Sequence, residues 1–294
     1  MSKPASPRLG TRTSALALAQ AEAVAAALGG AEVVPVRTQD AAVGDKSRFV
    51  RGVEEELLGG RVDLGVHSAK DLPGELPDGL TLAGVPGRED PTDAFIGAAG
   101  SLDEVPEGAR IGTSSLRRRS QLLASRPDLQ VEGLRGNVDT RLRKLAEGEY
   151  EGIVLASAGL ARLGRQREIS FRFKIEEMTP APGQGCLALE ARADDGDTGA
   201  AAGRISDRAA LTELTAERVA VRLLEADCDT PVGVCARHEG DELVVRGYAG
   251  LPDGSDWVRD RVAGDPTQPG ALGEALAERM RAAGAEEILA AVKA

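Results

Sequence analysis

The 294-residue sequence predicts an α/β protein with two similar doubly wound lobes followed by a smaller α+β C-terminal domain. Three observations carry this. Leu9-Gly10-Thr11-Arg12-Thr13-Ser14, running into an alanine-rich segment, is echoed by Ile111-Gly112-Thr113-Ser114-Ser115, running into a second helical segment. In the same order, Leu64-Gly65-Val66-His67-Ser68-Ala69 is echoed by Ile153-Val154-Leu155-Ala156-Ser157-Ala158. From about Asp207 the plan changes to a long helix, a turn-rich loop and a hairpin.

In the first lobe a short strand ends at Gly10-Thr11, and hydroxyl side chains cap a helix over residues 15–28. The apolar run 62–66 reads as a strand buried on both faces, as in a mostly parallel sheet with ligand loops at its carboxyl ends. The second lobe repeats the plan, with a helix through Leu123, and Leu134-Arg135-Gly136-Asn137-Val138-Asp139-Thr140-Arg141 adds a strand, a Gly-Asn turn and a helix with arginine at its start. Pro86-Gly87-Arg88-Glu89-Asp90-Pro91 and Pro180-Ala181-Pro182-Gly183-Gln184-Gly185 read as two crossings that make a hinged clamp. The expected boundaries are 1–86 with 186–204 for lobe 1, 92–179 for lobe 2 and 207–294 for the C-terminal domain, with hinges at 87–91 and 180–185. In that last domain the pattern predicts a helix over 209–224, strands over 242–248 and 257–262 around Pro252-Asp253-Gly254-Ser255, and a final helix over 271–283.

Composition bounds the function. The 42% apolar content can fill ordinary cores, and nothing resembles a signal peptide or a spanning helix, so a cytoplasmic chain is expected. Three cysteines without a repeated spacing suggest neither a disulfide framework nor a zinc site, and a reducing compartment. A net charge of -11 argues against nucleic-acid or anionic-membrane binding, and 2% aromatics leave no base-stacking platform. Residues 111–145 are the exception, with eight Arg and Lys against three Asp and Glu, which points to a small anionic ligand.

The candidate chemistry is concentrated in a few segments. Thr113-Ser114-Ser115 precedes a helix carrying Arg117 and Arg118, so hydroxyls, free N–H groups and guanidinium forks can converge on an anion. The plainer reading is a capped helix with a solvated basic face. Arginine suits planar carboxylates, which accept two parallel hydrogen bonds. Asp71, in His67-Ser68-Ala69-Lys70-Asp71-Leu72-Pro73, follows a strand and can act as a general acid or steady a developing cation; capping before Pro73 is the alternative. His67 reads as structural, and with only His238 as a second histidine no metal site is expected. Asp90 and Asp93 fit either cation ligation or, more simply, a salt bridge to Arg88. Cys186 and Cys235 read as small buried apolar groups. Cys228 lies between two aspartates before Pro231-Val232-Gly233, an odd place for a core residue, and a thiol there can be a covalent anchor. Its carboxylate neighbours disfavour a free thiolate, so attachment needs an electrophile activated by the site.

Taken in order, Arg8-Leu9-Gly10-Thr11-Arg12-Thr13-Ser14, His67-Ser68-Ala69-Lys70-Asp71-Leu72-Pro73, Arg88-Glu89-Asp90-Pro91, Gly112-Thr113-Ser114-Ser115-Leu116-Arg117-Arg118, Leu134-Arg135-Gly136-Asn137, Pro182-Gly183-Gln184-Gly185 and Cys228-Asp229-Thr230-Pro231-Val232-Gly233 resemble the porphobilinogen deaminase (hydroxymethylbilane synthase) family over nearly the whole chain. The resemblance implies two lobes like periplasmic binding proteins and a dipyrromethane cofactor held by a thioether to Cys228. It implies head-to-tail addition of four porphobilinogen molecules with loss of ammonia, and release of the linear tetrapyrrole hydroxymethylbilane by water. Asp71 matches the catalytic aspartate. Lys46, Ser68, Lys70, Thr113, Ser115, Arg117, Arg118, Asn137 and Gln184 match cofactor-binding positions, and Arg12, Phe49, Arg135, Arg141 and Arg162 match substrate-binding ones. Porphobilinogen is the only partner implied, on a monomer with no metal, nucleic acid or membrane. Two departures stand out: residues 40–49 are shorter and more charged than the family's glycine-rich lid, and Ala226-Asp227 replaces the usual Gly-Gly before the cysteine. A carboxylate-binding clamp without chemistry is the competing reading, but it has no use for the third domain or Cys228.

Overall fold

The computed structural model describes residues 6–37, 48–226 and 230–293. Lys46 and Cys228 lie outside these residues, as does the side chain of Phe49. The first elements are β1 (Arg8–Arg12), α1 (Ala15–Ala27), β2 (Glu32–Val36), α2 (Arg48–Leu58), β3 (Leu64–Ser68) and β4 (Leu80–Gly84). They are followed by β5 (Asp93–Gly97), β6 (Arg110–Gly112), α3 (Leu116–Ser125), β7 (Gln130–Glu132), α4 (Val138–Ala146), β8 (Gly152–Ala156), α5 (Ser157–Arg162) and β9 (Phe171–Arg172). The chain continues through β10 (Leu187–Arg192), α6 (Gly196–Arg204) and α7 (Arg208–Leu223). It finishes with β11 (Val232–Glu239), β12 (Glu242–Gly250), β13 (Trp257–Gly264), α8 (Pro269–Ala282) and α9 (Ala285–Lys293).

The internal echo is real at the level of topology. One sheet has the order β2-β1-β3-β10-β4 and another β7-β6-β8-β5-β9, so each Gly-Thr strand lies between its neighbours in the same way. In each sheet one strand, β10 or β5, runs against the rest, which makes sheets that are mostly but not wholly parallel. Both faces of each sheet are covered. Ala94 and Ile96 pack with Leu142 and Leu160, whereas Phe95 between them packs with Leu122 and Val131 on the opposite side. That alternation is the period-2 pattern of a strand sandwiched by helices. In the first sheet, α1 and α6 cover one face through Ala21, Val24 and Ala202, and α2 covers the other through Val53 and Leu57.

The described residues fall into two compact bodies. One comprises Met1–Glu89 with Cys186–Leu211, the other Asp90–Gly185 with Thr212–Ala294. In the second body a third sheet, β11-β12-β13, packs against α7, α8 and α9 around Val234, Val245, Leu276 and Met280.

Several boundaries differ from the sequence pattern, each for a local reason. The first-lobe strand begins at Leu64 rather than 62, because the Asp63 carboxylate is held by the Arg8 N–H and guanidinium at 2.8–3.1 Å. Strand β11 has no counterpart in the pattern reading, since its Val-Gly-Val start follows a proline turn. Gly284, at φ +100, ends one helix and lets α9 begin one residue later.

Gly84 is fixed by close approach. A Cβ there would lie 2.7 Å from the Ala202 carbonyl oxygen of α6, which is backbone and cannot swing away. Gly84→Ala should therefore cost about 1–3 kcal/mol in urea unfolding; a wild-type midpoint would show that α6 shifts freely on its sheet.

Candidate active site

In the first body β3 ends at Ser68 and turns through a single 3-10 turn, Ala69–Asp71, at the carboxyl end of the strand. The turn is pinned by backbone: Ala69 N–H donates to the Cys186 carbonyl at 3.1 Å and Leu72 N–H to the Ala69 carbonyl at 3.2 Å. Ser68 Oγ accepts from the Gln20 amide at 3.1 Å, and Gln20 is buried on α1. Gln20 escaped the sequence reading because a glutamine in an alanine-rich helix carries no signal until its face is known. Arg12 closes β1 half-buried. Burial lowers its guanidinium below the usual range, and attraction from Asp71 opposes that loss. Arg12 and Asp71 are thus electrostatic neighbours, with Lys70 and Ser68 on the same turn.

The second body collects the arginines. Arg117 and Arg118 sit in the first turn of α3, capped by Ser115, whose Oγ accepts from the Arg118 N–H at 3.4 Å. Thr113 Oγ1 accepts from the Ser115 N–H at 3.3 Å. These hydroxyls keep their own protons to donate. The cap expected from the sequence is present, but the solvated basic face is not: Arg117 and Arg118 are only 3% and 6% exposed, while Arg119 is exposed. Their counterion is Asp93, at the start of β5. It accepts from Arg117 at 2.6 Å, from Arg118 Nε and Nη2 at 2.9 and 2.8 Å, and from the Gln184 amide at 2.9 Å. Asp93 is thus the anion of an arginine cluster rather than a candidate cation ligand, and Asp90 pairs with Arg172 at 3.0 Å. The pairing was not legible because 24 residues separate Asp93 from Arg117 and only the sheet order brings them together.

Helix α3 is held from its other side as well. Gln121 grips the Thr179 backbone, its Oε1 accepting from the N–H at 2.7 Å and its Nε2 donating to the carbonyl at 3.0 Å. Ser120 and Tyr248 share a hydroxyl bond of 2.7 Å, so the C-terminal sheet is tied to the arginine helix. Glu217, buried on α7, accepts from Gly183 N–H at 2.6 Å and Ala236 N–H at 2.7 Å, fixing the segment that contains Gln184.

Electrostatics gives this cluster a positive bias. Burial by itself would raise Asp93, yet Arg117 and Arg118 outweigh it and hold the carboxyl far below its ordinary range. The Arg118 guanidinium is lowered by burial, with Asp93 opposing. Arg141, on α4, is lowered to about 10 by burial and then by repulsion from Arg118. Arg117 Nε is buried with no acceptor among the described residues. One carboxylate thus faces two buried guanidiniums, with a third, Arg141, within the field of Arg118 and bonded through Nε to the Gly136 carbonyl at 2.8 Å, a donor set suited to carboxylates of a ligand. The other expected positions are placed differently. Asn137 is exposed and caps α4 by accepting from Thr140 N–H at 2.9 Å; Arg135 is exposed; Arg162 donates to the Gly185 carbonyl at 2.7 Å.

Asp93→Asn leaves two buried guanidiniums short of a counterion and should cost about 3–5 kcal/mol in urea unfolding near neutral pH. Because the folded pKa is depressed, that stability is present above the unfolded carboxylate pKa and is lost as pH falls through the folded value. Wild type and variant should converge in acid, whereas a constant gap at all pH values would make the loss steric rather than electrostatic.

Comparison with known proteins gives the family. A model described as "Porphobilinogen deaminase, dipyromethane cofactor binding domain" matches residues 8–200, and one described as "Porphobilinogen deaminase, C-terminal domain" matches residues 211–282. The porphobilinogen deaminase of Syntrophus aciditrophicus is 43% identical, covering 96% of this chain and 97% of that one. That of Roseiflexus sp. is 46% identical, covering 96% of this chain and 98% of that one. Among solved structures, an arginine-specific periplasmic binding protein of Salmonella typhimurium aligns at a TM-score of 0.41 and 12% identity, over 70% of this chain and 93% of that one. With its two echoed lobes, its buried arginine cluster and matches along almost its whole length, the chain belongs to the porphobilinogen deaminase family.

Proposed function

We propose that this chain joins four porphobilinogen molecules head to tail, releasing ammonia, to give hydroxymethylbilane on a dipyrromethane primer carried by Cys228. The observation that supports it most directly is the positive cluster around Asp93. Every pyrrole unit carries two carboxylates, and Arg117, Arg118 and Arg141 hold more buried cation than Asp93 neutralises. A dipyrromethane fits such a donor set, including the unmatched Nε of Arg117. When bound, it supplies the pyrrole terminus on which the chain is extended.

The protein's own residues then have separable tasks. The buried arginines bind acetate and propionate groups in fixed orientation, with Gln184, Thr113, Ser115 and Asn137 as further polar contacts. Arg135 and Arg162 act on the same carboxylates, and Lys46 and Phe49 on the growing chain. On the first lobe Asp71 delivers a proton to the departing amine and, once ionised, steadies the positive charge left on the pyrrole. Arg12 lies beside it, and Ser68 and Lys70 flank it on the turn. The two lobes, bounded at 1–86 with 186–204 and at 92–179, hinge at 87–91 and 180–185, with 207–294 carrying the cysteine. The enzyme acts as a cytoplasmic monomer; no helix among the described residues is long and apolar enough to cross a membrane.

Intact mass with peptide mapping tests the anchor: an adduct equal to two condensed porphobilinogen units on Cys228 is expected, and a chain still unmodified after incubation with porphobilinogen would leave only ligand binding. Asp71→Ala should abolish ammonia release while circular dichroism remains that of the wild type; retained turnover would remove Asp71 from the chemistry. Arg141→Leu should weaken tetrapyrrole binding by about 1.5–3 kcal/mol, the loss of one charge-assisted hydrogen bond, measured by calorimetry.

A further inference from the structure

A second group of buried ionisable side chains lies in the first body, behind the turn that carries Asp71. Glu54 on α2, His67 on β3 and Glu190 on β10 are 7%, 6% and 0% exposed. His67 Nε2 stands 3.2 Å from Glu190 Oε2 without hydrogen-bond alignment, and neither Glu190 oxygen nor Glu54 Oε1 has a donor among the described residues. The three meet over Gly65. Glu190 is its cross-strand partner, and a Cβ on Gly65 would fall 2.8 Å from His67 Nε2 and 3.0–3.1 Å from Leu57 and Val53 of α2. Glycine at this position makes room for the imidazole between sheet and helix. From the helix side Arg51 and Glu55 also act on Glu54; β1 places Gly10 against Val53 and Val62 of the same layer, with Arg8 and Arg12 at alternate positions, and Arg192, two residues after Glu190 on β10, donates to the Leu57 and Val62 carbonyls.

Two buried carboxylates against one imidazole are an unbalanced set, because an unpaired buried charge is far more costly than a neutral acid. Burial first, and Glu190 next, push the Glu54 carboxyl above its ordinary range, toward its neutral form. His67 is four residues before Asp71 and is the last buried side chain of its strand before the turn.

We propose that Glu54, His67 and Glu190 are positioning residues for Asp71: this buried triad, packed over Gly65 between sheet and helix, fixes the exit of β3 and hence the aim of the 69–71 turn. The role rests on the reading of Asp71 as the proton donor. None of the three touches substrate; they hold a strand whose end must not move, and a misplacement of about 1 Å at a reacting group can cost roughly a hundredfold in rate.

The test is turnover of porphobilinogen together with hydrogen exchange of the Ala69 and Leu72 amides, corrected for intrinsic rate, on the full-length protein. Glu190→Gln should lower kcat roughly ten- to a hundredfold with KM nearly unchanged, and speed exchange at both amides. Adding His67→Gln should restore part of the loss, because the buried imidazole that Glu190 faces is then removed as well. Glu54→Gln copies the acid form and supplies a readout if the other variants fold poorly. A carboxyl with a raised folded pKa gives stability that is complete below the unfolded pKa and lost as pH rises through the folded one. Protection of the turn in the wild type should therefore fall with rising pH, and that fall should vanish in Glu54→Gln. Identical exchange and pH dependence in wild type, Glu54→Gln and Glu190→Gln would overturn the proposal. Altered exchange in these variants, with Asp71→Ala still active, would uphold the triad and discard the role of Asp71 instead.

Discussion

Asp93 has no exposure to solvent and receives hydrogen bonds from two guanidiniums and one amide, so the geometry of the second lobe's cation cluster is set around a single anion. A buried ion pair is poor evidence for stability, since desolvation offsets most of the attraction. Its value here is directional. Arg117 and Arg118 are adjacent on a helix and would diverge if free; a shared carboxylate makes both forks converge, and carbonyls at Thr179 and Val154 fix what remains of their rotation. Arg141 then meets a field already positive, which is why its guanidinium is depressed yet still charged at neutral pH.

The large features of this arrangement are written in the sequence because they are local. A strand ending at Gly-Thr and a hydroxyl cap before a helix need only a few residues, and two copies in the same order imply two lobes of one plan. The mirrored strand orders, down to one antiparallel strand in each sheet, extend that echo beyond what sequence shows, since β10 and β5 are supplied from distant parts of the chain. For the same reason Asp93 read as a candidate cation ligand. Its partners lie on another element, and only the placement of β5 beside β8 decides whether it meets a metal, Arg88 or Arg117.

Burial is the other property that sequence conceals. Glu54 begins a run of three glutamates that reads as a solvated face, yet the pitch of α2 turns it inward with Val50, Val53 and Leu57 while Glu55 stays outside. Glu190 sits among Leu187, Leu189 and Ala191 in a strand buried on both faces, where alternation offers no polar side to which it can belong. Charges forced inside by topology, rather than by pattern, are invisible to periodicity. Cys228 is the converse: its unusual neighbours mark it as a candidate anchor in the sequence, while it lies outside the described residues.

The overall charge of -11 and the cationic interior are two sides of one design. Several exposed basic side chains are matched locally, as in Arg61–Glu56, Arg110–Glu151 and Arg143–Glu147, and such pairs contribute little to stability. They do cancel field at short range, so the acidic surface is left to repel other polyanions. The buried guanidiniums have no comparable screening, and water is not there to replace a lost partner. A carboxylate entering that environment gains interactions that were already oriented before it arrived, whereas the same carboxylate at an exposed arginine competes with a neighbouring glutamate and with solvent. A preference for a small, multiply charged ligand over a large polyanion would follow from where the arginines are buried, not from how many the chain contains.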